Sequence, residues 1–300
     1  MPDSITLFPC AKVNLSLDVF EKRNDGYHDL ASIFQSIGLH DELQLERVGT
    51  PGVTFHCDTE GVLCDASNLV VKAANALLLA ANSQAGVAIK LIKTIPTQAG
   101  LGGGSSDAAS TLVGMNRLLD LGFASDELHQ IGVTIGSDVP FFLIGGTAMA
   151  SGRGEVLTEL PDGPVFPIVV VKPNVGVPTS WAYSELDNHP ERMRHLLTMK
   201  LLDSIQSGDR EGYLHWQGND FEEPVFTKFQ EIAWAADEMR MLGLKVAHLC
   251  GSGAAVYGVA TSQQEAESVA AKFEERYPFV AVTKTLRRNE AQKLALGYPA

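Results

Sequence analysis

The sequence has little cysteine. Cys10, Cys57, Cys64 and Cys250 are scattered through 300 residues and form no CxxC pair. That pattern indicates neither a zinc site nor a disulfide framework. Positive charge is also scarce: 23 Lys and Arg stand against 36 Asp and Glu, for a net charge of −13. Nucleic acid or an anionic membrane would need a basic face, so neither is expected as a partner. No apolar run approaches the ~20 residues that span a bilayer. Met1 to Cys10 lacks a basic stretch followed by an apolar one, so no secretory leader is expected. His40, His56, His129, His189, His195, His215 and His248 show no ligand spacing and read as surface or packing residues. Repeats and low-complexity segments are missing as well. These absences predict a soluble cytoplasmic protein, monomeric or homodimeric.

What is present is enough apolar sequence for a sizeable core, 45% hydrophobic over a length that suits two domains or one large one. The most informative stretch is Pro96-Thr97-Gln98-Ala99-Gly100-Leu101-Gly102-Gly103-Gly104-Ser105-Ser106-Asp107. Val87, Ile89 and Leu91 alternate before it, and Ala108, Leu112, Met115 and Leu119 follow at helical spacing. The unit therefore reads as strand, glycine loop, helix. Glycine allows positive φ and close backbone approach, and the free N–H groups of a helix start attract an anion. A tight strand-to-helix turn capped by Ser105 or Ser106 is the simpler alternative, but four glycines in five residues favour phosphate. A β-branched residue at Gly103 is expected to obstruct that approach. The stretch holds no Gly-Lys-Ser/Thr, so it is not a Walker loop, and it lies too deep in the chain for the dinucleotide fingerprint.

Along the chain, Ile5–Phe20 reads as a strand pair in which Lys12 and Asn14 share the face opposite Val13, Leu15, Leu17 and Val19. Asp25-Gly26 marks a turn before Tyr27-His28. Strands are predicted near 31–39, 42–48 and 53–57, and a helix capped by Asn68 over 69–81. A further helix starts at Ser125 and stops at Gly136, where Gly136-Ser137-Asp138-Val139-Pro140 begins. Glycine and proline cluster over 152–167, and the domain boundary is placed there, giving 1–155 and 156–300. The second part predicts a strand over 168–171, helices opening at Pro178 and around 193–207 and 224–242, and a strand, Gly251-Ser252-Gly253 loop, strand, helix, strand series to Thr285. Short interleaved elements of this kind suit an α+β sandwich of ferredoxin-like type. The tail after Arg287 is expected to be loosely held. On the residues alone, Lys12 reads first as a solvated strand lysine, with a phosphate cation as the alternative, and Asp138 first as a turn residue, with a base as the alternative.

Ala11-Lys12-Val13-Asn14-Leu15, the glycine loop and Gly251-Ser252-Gly253-Ala254 together resemble the GHMP kinases. Arg23-Asn24-Asp25-Gly26-Tyr27-His28 and Gly136-Ser137-Asp138-Val139-Pro140 resemble, within them, the branch acting on 4-diphosphocytidyl-2-C-methyl-D-erythritol. The resemblance runs through nearly the whole chain. It implies an α+β, two-domain fold: an N-terminal domain like domain 2 of the fifth protein of the small ribosomal subunit, a ferredoxin-like C-terminal α/β sandwich, and an active site in the cleft between them. It implies ATP and magnesium, with ATP on Pro96, Thr97, Gln98, Ala99, Gly100, Leu101, Gly102, Gly103, Gly104, Ser105 and Ser106. Lys12 and Asp138 become a catalytic pair beside the acceptor hydroxyl. Asn14, Tyr27, His28, Asp138, Thr179 and Tyr183 become the substrate contacts, with Tyr27 and Tyr183 as plates for cytosine. The magnesium ligand stays open; Ser106 and Asp107 are near enough in sequence, and Asp107 equally suits the helix dipole. The alternatives keep the fold but change the acceptor to homoserine, a sugar or phosphomevalonate, or make the chain a non-catalytic nucleotide-binding regulator. Tyr27-His28 argues against the first and the presence of both Lys12 and Asp138 against the second.

Overall fold

The computed structural model describes residues 3–189 and 196–298. Its first half runs β1 (Ser4–Leu7), β2 (Cys10–Lys22), β3 (His28–His40), β4 (Glu42–Val48), β5 (Gly52–Cys57), α1 (Leu69–Ala80), β6 (Gly86–Ile92), α2 (Gly103–Leu119), α3 (Ser125–Ile135), α4 (Val139–Ile144), β7 (Thr147–Ser151) and β8 (Val156–Glu159). The second half runs β9 (Pro167–Lys172), α5 (Thr179–Asn188), α6 (Leu197–Ser207), α7 (Arg210–His215), β10 (Gly218–Asn219), α8 (Glu222–Lys228), α9 (Gln230–Met241), β11 (Val246–Leu249), β12 (Val256–Val259), α10 (Gln263–Phe273), β13 (Phe279–Lys284) and α11 (Arg288–Ala295).

Three sheets carry these strands. One has the order β1-β4-β6-β5, a second β10-β2-β3-β7-β8, and a third β11-β12-β9-β13. In chain order the third sheet's strands stand second, third, first, fourth, all neighbours antiparallel, with α9 and α10 packed on it. This is the ferredoxin-like arrangement of an α+β sandwich. The helices form where apolar residues recur at three and four. α1 buries Val70, Ala73, Ala74, Leu77 and Leu78, and Asn68 caps it by accepting from the Val70 N–H at 2.9 Å. α2 lies close on the first sheet because Gly114 has no Cβ there: one would stand 2.4 Å from Leu7 and 2.5 Å from Leu45.

Several sequence expectations are corrected. β1 and β2 do not pair with each other; β1 pairs with β4 and β2 with β3. Pro9 lies between them and has no N–H to close a hairpin. The helix expected over 224–242 is two, broken at Phe229, whose backbone leaves the helical region. The helix expected from Met193 is described from Leu197 onward; residues 193–195, with His195, lie outside the described residues. The tail after Arg287 is held. α11 buries Ala291 and Leu294, and the Arg288 guanidinium donates to the carbonyls of Thr147 at 2.9 Å and Leu160 at 3.1 Å. β8 stays in the second sheet, paired with β7, and the chain crosses to the third sheet over residues 160–166.

The polar face of β2 is also buried. Lys12, Asn14, Ser16 and Asp18 are at most 5% exposed, because the second half of the chain covers them. Asp18 accepts from the N–H groups of Leu197 at 3.1 Å and Thr198 at 3.0 Å, which satisfies the start of α6 from a distant strand. The Tyr257 hydroxyl on β12 donates to Gln217 Oε1 at 2.7 Å and lies 3.2 Å from the Asn14 carbonyl oxygen. These bonds lock β2, the strand of Lys12, against the ferredoxin-like half.

Candidate active site

α2 begins at Gly103 with Gly102 as its cap, three residues earlier than a Ser105 cap would place it. Its first intrahelical bond runs from the Ser106 N–H to the Gly102 carbonyl at 2.9 Å, which leaves the amides of Gly103, Gly104 and Ser105 without an intrahelical acceptor. Gly100 and Gly102 hold φ at +75° and +71°, in the left-handed region that L side chains rarely enter. The loop is anchored on both flanks. The Lys12 N–H donates to the Leu101 carbonyl at 3.0 Å, and the amides of Ala254 and Ala255 donate to the carbonyls of Gln98 and Ala99, each at 3.1 Å. The Gly251-Ser252-Gly253 turn therefore leans on the glycine loop, backbone to backbone. Gly100, Gly102 and Ser105 line the adjoining cleft, a cavity of about 930 Å³.

Lys12 and Asp138 meet in that cleft. Lys12 leaves β2 near its start, Asp138 stands at the turn into α4, and Nζ lies 3.6 Å from Asp138 Oδ2. The ammonium is 5% exposed and the carboxylate 30%. Lys12 is aimed from behind: Nζ donates to Asn14 Oδ1 at 2.7 Å and sits 4.6 Å from the Phe34 ring centroid. Asn14 in turn donates through Nδ2 to Ser32 Oγ at 2.9 Å. Asn14 lines the cleft, and its amide bridges Lys12 and Ser32, which orients the Lys12 ammonium.

At the other end lie the aromatic residues. Tyr27 is 55% exposed on the rim, with the Arg153 guanidinium 4.7 Å over its ring. Tyr183, one turn along α5 from Thr179, lines the cleft and stacks on His28 at 5.0 Å, not on Tyr27. Burial, with the Asp138 charge second, pushes its phenol up to about 12. Thr179 Oγ1 is 3.0 Å from Ser252 Oγ. His28 Nε2 is 2.7 Å from Asp187 Oδ1, and Lys22 Nζ donates to Asp187 Oδ2 at 2.8 Å. Partial burial works to raise the Asp187 carboxyl, but the hydrogen bonds from Lys22 and His28 outweigh it and hold the group below its ordinary range.

Asp187, Arg153 and Lys22 line the cleft and were missed from sequence, while Ser252, also in the lining, belongs to a motif that the sequence had singled out without a role for the serine. For Asp187 a signal existed: Thr179, Tyr183 and Asp187 follow at intervals of four, one face of a helix. The sequence leaves the magnesium ligand open between Ser106 and Asp107; both are buried outside the cleft lining, and Asp107 is paired with Lys93 at 2.8 Å. Among the described residues no group of three His, Cys, Asp or Glu could hold a metal ion. Gly103 points away from the cleft: a Cβ there would stand 2.9 Å from Ile95 and 3.1 Å from Lys93 Nζ. A β-branched residue at Gly103 thus strikes the core behind the loop and does not obstruct a ligand in front of it.

Residues 68–146 match the GHMP kinases N terminal domain, and residues 199–278 match GHMP kinases C terminal. The chain is 42% identical over 289 residues to the 4-diphosphocytidyl-2-C-methyl-D-erythritol kinase of Moorella thermoacetica, covering 95% of this chain and 100% of that relative. A crystal structure of 4-(cytidine 5'-diphospho)-2C-methyl-D-erythritol kinase is similar with a TM-score of 0.80 at 34% identity, over 94% of this chain and 99% of that one. The homoserine kinase of Cytophaga hutchinsonii shares the fold, with a TM-score of 0.74 at 20% identity over 96% of both chains.

Proposed function

The chain belongs to the GHMP kinases, and on that premise we propose that it transfers the γ-phosphoryl of ATP to the 2-hydroxyl of 4-diphosphocytidyl-2-C-methyl-D-erythritol, giving the 2-phosphate, in the non-mevalonate route to isoprenoids. The observation that carries the reading is the single cleft shared by the glycine loop, the Lys12–Asp138 pair and the Tyr27-His28 rim. It rests as well on 42% identity to a named kinase of that substrate across nearly the whole chain. In this reading the protein acts in the cytoplasm, as a monomer or homodimer, with the division between its halves within 152–167.

The chemistry follows from the geometry. Phosphoryl transfer needs the phosphates held, their charge offset and the acceptor hydroxyl oriented for in-line attack. The amides of Gly103, Gly104 and Ser105 hold phosphate oxygens at the positive end of α2. Asp138 accepts the hydroxyl proton as the new O–P bond forms and the bond from the γ-phosphorus to the β,γ-bridging oxygen breaks, ADP leaving, while the Lys12 ammonium offsets the charge developing on the acceptor oxygen. Magnesium brought in with ATP would offset part of the phosphate charge; no described side chain is assigned to hold it.

The cytidine end lies against Tyr27, with Tyr183, His28 and Thr179 completing the acceptor's pocket. Stacking is worth ~1–3 kcal/mol per base, so Tyr27→Ala raises KM for the cytidine substrate about tenfold and leaves KM for ATP nearly unchanged. The test measures ATP consumption with the cytidine substrate, its uridine analogue, bare methylerythritol phosphate, homoserine and mevalonate. Preferred use of the cytidine substrate supports the reading; equal use of the uridine analogue or the bare phosphate, or faster use of homoserine or mevalonate, contradicts it.

A further inference from the structure

Behind the glycine loop, away from the cleft, three ionisable side chains are buried together. Lys93 is the first residue after β6, Asp41 lies between β3 and β4, and Asp107 is one helical turn into α2. Their side chains are 6%, 0% and 2% exposed. Lys93 Nζ donates to Asp41 Oδ2 and, at 2.8 Å, to Asp107 Oδ2. Asp41 Oδ1 accepts the amides of Thr94 at 2.5 Å and Ile95 at 2.8 Å, which fixes the backbone that enters the loop. The ammonium also lies 3.1 Å from where a Cβ of Gly103 would be, so the cluster touches the first residue of the helix whose amides face the phosphates.

The charges do not balance if all three groups ionise: one ammonium faces two carboxylates. Both oxygens of Asp41 are taken, by three donors in all. Asp107 has one donor, on Oδ2, and its buried Oδ1 has no hydrogen-bond partner among the described residues. A dry, unpartnered carboxylate oxygen is costly, and a proton there removes the charge. Lys93 and Asp41 are the charged groups that act on Asp107.

We propose that the Asp41–Lys93–Asp107 cluster positions the glycine loop and holds its underside at zero net charge, so that a nucleoside triphosphate binds tightly only while Asp107 carries a proton. The proposal rests on the assignment of the loop to ATP. Burial raises the Asp107 carboxyl to about 8, with Lys93 opposing and Asp41 adding to the rise. The group is protonated below that pH and the cluster is neutral. Above it the cluster carries −1 within about one 5.4 Å helical turn of the phosphate-binding amides, and a negative charge there opposes the triphosphate. ATP affinity therefore falls as pH rises through 8, and ATP binding in turn draws a proton onto Asp107.

Calorimetric titration of the full chain with magnesium–ATP between pH 7 and 9.5 tests this. The native protein loses about tenfold in affinity across that range, the equivalent of a one-unit shift in the Asp107 pKa on binding. Asp107→Asn keeps the Lys93 contact without a titrating group; it matches the native affinity at pH 7 and stays nearly flat to pH 9.5. Titration in two buffers of different ionisation enthalpy at pH 8.5 shows proton uptake by the native protein, and this measurement decides alone if Asp107→Asn does not fold. The same pH slope in Asp107→Asn, or no proton uptake by the native protein, overturns the proposal while leaving the loop's role intact. No ATP binding by the native protein at any pH overturns both.

Discussion

Asp138→Asn loses about a hundredfold or more in kcat while ATP and the acceptor still bind. The substitution keeps the shape of the side chain and removes its capacity to take a proton, and general-base catalysis contributes ~10²–10⁴. Asp138 is 30% exposed in the cleft, its Oδ2 3.6 Å from a lysine that is 5% exposed, which leaves the carboxylate open toward an incoming hydroxyl. Lys12→Met lowers kcat by a similar factor, since the ammonium held by Asn14 is ion-paired with that carboxylate. The two residues act on one developing charge, so the double variant loses less than the product of the single losses. Steady-state kinetics on the four proteins measure this. Additive losses mean independent roles, and near-native turnover of Asp138→Asn removes it as the base.

Gly100→Ala is the substitution with the largest expected effect on the fold. Its Cβ would stand 1.8 Å from the Cys250 carbonyl oxygen, at a residue whose φ is +75°. Both partners are backbone, so no side chain can turn aside. The strained φ costs ~1–2 kcal/mol, and overpacking a fixed contact adds ~1–3 kcal/mol. Relief comes only by parting the glycine loop from the Gly251-Ser252-Gly253 turn, which breaks the bonds of Ala254 and Ala255 to Gln98 and Ala99. Thermal unfolding should show a midpoint lower by at least about 5 °C, and the acceptor KM rises because Gly251 and Ser252 line the cleft. Gly104→Ala is the control. A Cβ there meets only Leu69 at 3.7 Å, and alanine is the better helix former by ~1 kcal/mol, so its midpoint is unchanged or higher. Equal midpoints for Gly100→Ala and the native protein contradict the packed contact.

Local signals made much of this architecture readable. Alternation marked β2 and β6, the Asn68 cap marked the start of α1, and the β-branched run over 168–171 marked β9. The strand-to-helix turn with its positive-φ glycines was readable because glycine and helix start are short-range features, and the proposed phosphate cradle rests on those same features. Long-range geometry was not readable. Nothing in Ile5–Phe20 says that β1 pairs with β4, since register is decided by the partner strand. The tail after Arg287 looked unattached because its anchors, the Thr147 and Leu160 carbonyls, lie more than a hundred residues away. Asp107 looked like a first-turn acid because Lys93 and Asp41, which bury it, belong to other elements. Gly103 was misread for the same reason: sequence shows that glycine is needed, but not whether a ligand or the core lies on the missing Cβ's side. Arg153 on Tyr27 is a contact between separate loops, without sequence periodicity.

The most direct test of the central claim is a crystal structure of the protein with an unreactive ATP analogue and 4-diphosphocytidyl-2-C-methyl-D-erythritol bound together. The account predicts the triphosphate on the amides of Gly103 to Ser105. It predicts the cytosine against Tyr27, and the acceptor's 2-hydroxyl within hydrogen-bond reach, ~2.6–3.2 Å, of the Asp138 carboxylate and on the line from the γ-phosphorus. A 2-hydroxyl turned away from Asp138, or a triphosphate bound elsewhere than on the glycine loop, contradicts it.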